Sequence, residues 1–535
     1  MKIKLLLVVI VLLAGLLRFW QLGAIPPSLT WDEVAWGYNA YSIGIDGRDE
    51  FGRYLPLDYL ESFGDYKPPV YAYLDVVPVK IFGLTEFATR FPSALLGTLT
   101  VLVTYFLVQR LFVQSTRKKW YSLAAALFLA VSPWHIMLSR AAFEANVALF
   151  FIVCGGWLYL SFIENKKVLL LLLSVLSFIV SVYTFNSARV VAPLLVLVLI
   201  ASSWRMLWHM KKTTIFVFLF GIILLLPFVH FFLSPQSKLR YNEVNIFSDV
   251  SLVKEANQQI ANDKNAWWSK ILHNRRLVYS VAYMQHYFDN LSPSFLFIQG
   301  DGNPKFSTRD VGQLYLWDIP FLVIGLLFLA RKKIGYWWLV PVWILLAIVP
   351  AAVARETPHA LRTENMLPMW QVIAGVGFIE SIVFLKKYRK IFVGISLVFL
   401  FLSVLYFQHG YYAHYSREFS GEWQDGYKQA LLYAKQNENS YQHIVITSAL
   451  GRPYIYTLFY NKIAPRDFRS TSIVNRDAFG FVDVVRVGKY EFPTKITEMK
   501  NTLYIATPQE VPQHAQILQT FPLVNGQPAL VAYTL

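Results

Sequence analysis

The sequence predicts a mainly α fold: a polytopic bundle of about 11 transmembrane helices that ends in a small α/β domain. Three observations carry this. The 535-residue chain is 56% hydrophobic and only 15% charged, with a mean hydropathy of +0.42, whereas soluble chains average about 45–50% apolar and about 25% charged residues. Apolar runs of helical length recur from Leu5 to Phe407. Beyond them the composition turns mixed and polar.

A helix needs about 20 largely apolar residues to cross the hydrocarbon core, fewer where flanking lysines and arginines snorkel. Eleven segments meet that demand, at roughly 4–20, 90–113, 120–138, 144–163, 168–185, 189–204, 213–233, 313–330, 336–354, 365–385 and 390–408. The first has the basic start and apolar centre of a signal peptide. Arg18, Phe19 and Trp20 stand where the small residues of a cleavage site belong, so it reads as a retained span.

Alternate connections are basic. Lys2, Lys4, Arg110, Arg117, Lys118, Lys119, Lys166, Lys167, Arg205, Lys211, Lys212, Arg331, Lys332, Lys333, Lys386, Lys387, Arg389 and Lys390 face the single acid Glu164. The positive-inside rule makes these loops, and the N-terminus, cytoplasmic. The net charge of +16 is therefore a topology signal, and no nucleic-acid partner is expected. The lone Cys154 permits no intramolecular disulfide and no Cys-rich metal site.

The opposite, extracytoplasmic face receives the outer loops 21–89 and 234–312 and the C-terminal region. The predicted division is a transmembrane domain over 1–408 and a soluble α/β domain over 409–535. The stretch 69–83 is apolar but short and interrupted by Asp75, Pro78 and Lys80, which fits an interfacial or re-entrant helix. In the C-terminal region HIVITS and NTLYIAT read as strands and RPYIYTLFYNK as an amphipathic helix. FPLVNGQPALVAYTL carries an Asn-Gly hairpin signal. There is no P-loop and no GxGxxG after a strand, so the energy for any reaction comes from an already activated substrate or from none.

Every group with chemical potential falls on the outer face. Asp32 and Glu33 sit side by side in TWDEVAWGYNA, where two carboxylates near an apolar boundary are costly. Taken alone, a helix start is the better explanation, with Thr30 capping and acids favoured in the first turn; the rest of the chain shifts the reading towards catalysis. Lys67 precedes Pro68 and Pro69, which make its stretch stiff and non-helical. Arg140 and Glu144 lie four apart in SPWHIMLSRAAFEAN and either pair with each other or act on a ligand. Arg189 ends the turn YTFNSAR. His359 and Arg362, in ARETPHALRTEN, share a face if helical. Snorkelling to headgroups is a structural explanation for each cation.

Together they suit a lipid-linked phosphate. Lysine and arginine hold the phosphate through charge-assisted bonds worth about 1.5–3 kcal/mol each. A carboxylate takes the proton of an incoming hydroxyl. The phosphate leaves readily, so cations can replace a general acid. No tight ligand spacing such as HExxH appears; no metal site is predicted, and the outer acids leave a divalent cation open.

WDEVAWGYNAYSI, GDYKPPVYAYLDVVPVKIFGLTEFATRFPSALLGTLTVLVTYFLVQRLF and SRAAFEANVALFF resemble the GT-C superfamily of membrane glycosyltransferases. The likeness is to the family 39 and 83 branch, which includes protein O-mannosyltransferases and the bacterial aminoarabinose transferase acting on lipid A. It runs over most of residues 10–370. The resemblance implies a GT-C fold and an inverting transferase that moves a sugar from a polyprenyl-phosphate donor to a hydroxyl of a lipid, glycan or protein acceptor. Asp32 matches the first acid of the family's Asp-Glu motif and would be the base or orient the acceptor, with Glu33 supporting it. Lys67 matches the lysine that contacts the donor phosphate. Glu144 falls where relatives often carry aspartate. Arg140, Arg189, His359 and Arg362 are candidate phosphate contacts on chemistry more than motif. The C-terminal region does not resemble the sugar-binding repeat domain of eukaryotic protein mannosyltransferases.

Two other functions compete. A transporter or flippase of lipid-linked sugars would place ionisable groups near mid-membrane and often shows repeats; here no repeat is visible and the charges cluster at outer ends. A non-catalytic partner in envelope polysaccharide assembly needs no intact acid pair. The expected location is the cytoplasmic membrane, with the active site and the C-terminal domain outside the cell.

Overall fold

The computed structural model describes residues 2–234, 237, 245–476 and 482–535. The chain is a multi-pass membrane protein, and each of the eleven expected segments contains a helix. Among the described residues five helices are long and apolar enough to cross a bilayer: Glu86–Leu111, Glu144–Asn165, Ala188–His209, Lys211–Leu233 and one within Lys386–Trp423. Two bent pairs raise this to seven. Lys118–Val131 and Pro133–Ser139 meet at 58°, and Ala360–Met366 and Met369–Phe384 at 52°. Both bends fall at a proline, Pro133 and Pro368, that cannot continue the hydrogen-bond ladder. Two further apolar helices are shorter, Val168–Val182 and Leu339–Val353. Val168–Val182 has 15 residues, about 22 Å of helix against a core of about 30 Å.

The chain forms two compact units. The first comprises Met1–Ala14, Gly97–Met137 and Ala145–Phe407. Within it the helices Ile319–Lys332 and Met369–Phe384 touch through glycine: a Cβ on Gly325 would lie 2.1 Å from the Ile373 carbonyl oxygen, and one on Gly377 1.9 Å from that of Phe321. Small residues let apolar helices approach this closely where lipid gives no hydrophobic drive to association. Arg117 holds Glu380 at 3.0 Å, and the Tyr121 hydroxyl donates to the same carboxylate.

The second unit comprises Gly15–Leu96, Leu138–Glu144 and Gln408–Leu535. Its N-terminal part holds the helix Trp31–Asp46, the hairpin β1 (Leu60–Ser62) and β2 (Asp65–Lys67), and the helix Val70–Phe82. Its C-terminal part is built on β3 (His443–Ile446), β4 (Ser472–Arg476), β5 (Val482–Val487), β6 (Tyr490–Glu491), β7 (Thr502–Ala506), β8 (Gln516–Pro522) and β9 (Pro528–Thr534). These form one mixed sheet in the order β4-β5-β6-β3-β7-β9-β8, with β3 parallel to both β6 and β7. The apolar runs HIVI and TLYIA are its central strands, and the Asn525-Gly526 signal marks the β8–β9 connection.

The two parts share one hydrophobic core. Val34, Ala35 and Tyr38 of the Trp31–Asp46 helix pack in the same cluster as Ile444 and Ile505 of the sheet and Ile455 and Leu458 of the helix Pro453–Tyr460.

Candidate active site

The Trp31–Asp46 helix begins in a capping box. Thr30 Oγ1 accepts the Glu33 N–H at 3.3 Å, and Glu33 Oε2 accepts the Thr30 N–H at 2.9 Å, satisfying two donors that a helix start leaves open. Consecutive helical residues diverge by about 100°, so Asp32 and Glu33 part company. The Glu33 side chain is fully buried. Its Oε1 accepts Arg90 Nε and the Ala142 N–H, each at 2.9 Å. Arg90, equally buried, also donates to the carbonyl oxygens of Leu22, Pro26 and Ser28. Glu33 thus ties together the entry to its helix, the Glu86–Leu111 helix and the 138–144 segment.

Asp32 turns the other way. Its side chain is 48% exposed, and its Oδ1 lies 2.5 Å from Lys67 Nζ. Lys67 itself is buried, its ammonium 4.3 Å from the Phe63 ring and 5.0 Å from the Trp36 ring. The β1–β2 turn places it: Phe63 (φ 42°) and Gly64 (φ 81°) both adopt positive φ, the tight turn that twists with its strands. Leu60 pairs opposite Lys67, and Pro68 and Pro69 then stop the strand.

Glu50 holds this hairpin from within. Its carboxylate accepts the Ser62 hydroxyl at 2.9 Å, the Tyr454 hydroxyl at 3.1 Å and Asn39 Nδ2 at 3.3 Å, while Tyr454 Oη accepts the Phe63 N–H at 2.9 Å. Burial pushes the Glu50 carboxyl up to about 8, with the Ser62 hydroxyl pulling the other way. The folded state therefore favours protonated Glu50. That stabilisation is complete below its ordinary value of 4.5 and is lost as pH rises through about 8. Melting in detergent should accordingly fall between pH 5 and pH 8, and Glu50→Gln should flatten that decline. An unchanged pH profile in the variant would show that another group sets it.

Glu144, the first residue of its helix, interacts electrostatically with Asp32, Lys67 and Asp65. The structure thus brings Asp32, Lys67 and Glu144 together. Arg140 is built into the scaffold of the same unit. Its guanidinium donates to the carbonyl oxygens of Leu17 (3.1 Å), Arg18 (3.2 Å) and Ile25 (3.1 Å), its Nε donates to the Tyr411 hydroxyl at 3.3 Å, and it lies over the Tyr411 and Tyr412 rings. These donors serve three backbone oxygens and the Tyr411 hydroxyl, and no Arg140–Glu144 ion pair forms among the described residues.

The other expected contacts belong to the first unit. His359 donates its backbone N–H to Asn290 at 3.0 Å, stacks 4.9 Å from Phe306 and sets Nδ1 3.9 Å from Asp301 Oδ2. Burial, reinforced by the Arg362 charge, drives its imidazole down to about 3, so it is neutral at physiological pH and offers no charge to a phosphate. Asp301 accepts the N–H groups of Ala360 (2.6 Å) and Asn303 (2.7 Å), and burial raises its carboxyl to about 6. Arg189 lies over the rings of Phe228 and Phe231, 5.1 Å from each. Among the described residues no group of three or more His, Cys, Asp or Glu is placed to hold a metal ion.

Arg90, Glu50 and Tyr454 were not among the expected site residues. Arg90 was visible in the E-x-A-x-R-x-P series at 86–92 as a charge opening an apolar helix. Glu50 and Tyr454 lie 404 positions apart, and no local pattern joins them.

The fold is similar to that of solved lipid-linked sugar transferases that share little sequence with this chain. ArnT from Cupriavidus metallidurans in its apo state superposes with a TM-score of 0.56 at 13% identity, covering 99% of this chain and 97% of that one. The same protein bound to undecaprenyl phosphate gives 0.52 at 14% identity over 98% and 97%. The archaeal oligosaccharyltransferase AglB from Archaeoglobus fulgidus, in complex with an inhibitory peptide and a dolichol-phosphate, gives 0.50 at 12% identity over 86% and 64%. These likenesses show the fold. Residues 66–231 match the family model described as dolichyl-phosphate-mannose-protein mannosyltransferase. An uncharacterized protein of Aquifex aeolicus (strain VF5) is 30% identical over 165 residues, which are 29% of this chain. The match spans about a third (32%) of that curated relative's length.

Proposed function

We propose that the chain is an inverting transferase that moves a sugar from a polyprenyl-phosphate donor to a hydroxyl acceptor at the outer face of the cytoplasmic membrane. One observation carries the reading: within a GT-C fold, half-exposed Asp32 is ion-paired to Lys67 in an aromatic cage, with Glu144 in electrostatic reach. ArnT bound to undecaprenyl phosphate supports the donor class by analogy of fold.

Lys67 draws the donor phosphate towards Asp32. Asp32 then exchanges its ammonium partner for the acceptor hydroxyl. As the hydroxyl oxygen attacks the anomeric carbon, its proton passes to Asp32. The bond from that carbon to the phosphate oxygen breaks, and its electron pair leaves on the phosphate, where Lys67 offsets the charge. Glu144 orients the acceptor. Glu33 and Arg140 act by position, fixing the helix that carries Asp32 and the segment that leads to Glu144. In the first unit, Arg189 and Arg362 are proposed contacts for anionic lipid phosphate, and His359, held neutral, contributes hydrogen bonding only.

The charge asymmetry of the loops supports an N-terminus in the cytoplasm, with 409–535 and the Asp32 site outside. The division into a transmembrane catalytic domain over 1–408 and an outer domain over 409–535 belongs to the same proposal. The acceptor is a lipid, a glycan or a protein. Mass spectrometry of all three glycan fractions from a deletion strain tests the reading; three unaltered fractions would overturn it. Lys67→Ala should weaken binding of undecaprenyl phosphate to the purified chain by at least tenfold. Wild-type affinity in that variant would remove Lys67 from the site.

A further inference from the structure

We infer that Arg452, carried by the C-terminal part of the chain, is an additional contact for the donor phosphate at the Asp32–Lys67 site. The inference rests on the functional reading above and assigns the C-terminal part a place in it. Arg452 immediately precedes the helix Pro453–Tyr460, and it is exposed. Its guanidinium lies 5.1 Å from the centre of the Phe63 ring, the same ring that carries the Lys67 ammonium at 4.3 Å. Two cations therefore share one aromatic ring beside Asp32.

The placement is built, not incidental. Two residues on, Tyr454 accepts the Phe63 N–H and donates to Glu50, which locks the start of this helix onto the Lys67 hairpin. On the other side, Gly451 (φ 82°) presses against Trp31, where a Cβ would stand 3.1 Å from the indole, and Tyr427 donates to the Gly451 carbonyl. Arg452 itself is held at φ 54°, a left-handed conformation uncommon and strained for a residue with a Cβ. A glycine would suit that backbone better, so the side chain is kept at a conformational cost.

Charge gives the reason. Asp32 and Asp65 act on Glu144 electrostatically alongside Lys67, so the one ammonium stands with three carboxylates. A phosphate drawn to Lys67 must be held against their charge. Arg452 supplies a second cation, and among the described residues its guanidinium has no carboxylate partner. Arginine's planar fork can donate two parallel bonds to a phosphate. An exposed arginine resting on a ring for modest packing gain is the plain alternative.

The two separate in one experiment. The purified full chain in detergent is titrated with undecaprenyl phosphate at low and high salt, alongside Arg452→Gly, Arg452→Lys and Lys67→Ala. Arg452→Gly relieves the positive φ, so it should melt no lower than wild type, yet bind about tenfold more weakly and with a shallower salt dependence. Arg452→Lys should retain most of the affinity. Wild-type affinity and salt dependence in Arg452→Gly, with binding lost in Lys67→Ala, would overturn the inference and leave the functional reading standing. No binding by the wild-type chain would overturn both.

Discussion

Asp32→Asn is expected to lower transfer by about 10²–10⁴-fold, the range that positioned general acid–base groups contribute, while the protein remains folded and able to bind lipid phosphate. The substitution keeps the size and the hydrogen-bonding shape of the side chain but removes its capacity to take a proton. It should be tolerated because Asp32 is half exposed and the asparagine amide oxygen can still accept a hydrogen bond from the buried Lys67 ammonium. The burden of the helix start falls on Thr30 and Glu33 instead. Binding of undecaprenyl phosphate should be unchanged or tighter, since the Lys67 ammonium loses the carboxylate that holds it at 2.5 Å. A loss in kcat with unimpaired lipid-phosphate affinity is therefore the expected signature. Wild-type turnover by purified Asp32→Asn would remove Asp32 as the base, and a parallel loss of binding would recast it as a residue that orients Lys67.

Much of the architecture was legible because membranes impose blunt rules. Composition and hydrophobic run length announce helices, and the eleven segments read from sequence each contain one. How many of them span is less visible. Proline breaks at Pro133 and Pro368 and short helices such as Val168–Val182 depend on how neighbours cover them. In the C-terminal sheet β3, β7 and the β8–β9 hairpin were equally plain, from the buried run His443–Ile446 to the Asn-Gly turn before β9, whereas β4, β5 and β6 were not read.

At the site, residue type was legible and direction was not. Asp32 and Glu33 invited two explanations, a helix cap and a chemical pair. The structure divides them between the residues, giving Glu33 the cap and Asp32 the open side. What decides it is Arg90, 57 positions away, which draws Glu33 inward. Arg140 shows the same difficulty. An arginine at a membrane edge looks like a phosphate ligand until the carbonyls of Leu17, Arg18 and Ile25 are found around it. His359 looked like a phosphate contact; burial drives its imidazole down to about 3, so a contact through it would be a hydrogen bond and not a charge. Nor does any local pattern say that the helix of Asp32 and a sheet more than 400 residues later share one core.

Arg90 also carries the largest expected effect on stability. Arg90→Met would leave Glu33 with its charge in a fully buried place, keeping only the N–H groups of Thr30 and Ala142 as partners. It would also strip the donors from the carbonyl oxygens of Leu22, Pro26 and Ser28. Removing one member of a buried pair costs about 3–5 kcal/mol, a large part of the roughly 5–15 kcal/mol that holds a typical domain. A lowered melting temperature in detergent and a poor yield of folded protein should follow. The double variant Arg90→Met/Glu33→Gln no longer buries an unpaired charge, so it should be less destabilised than the sum of its single changes. It will not reach wild type, because the three carbonyls remain unserved. Whatever folds should also turn over slowly, since the entry to the Asp32 helix is no longer fixed to the Glu86–Leu111 helix. If Arg90→Met melts with the wild type, the Glu33–Arg90 node does not hold the site, and the capping box alone must be positioning Asp32.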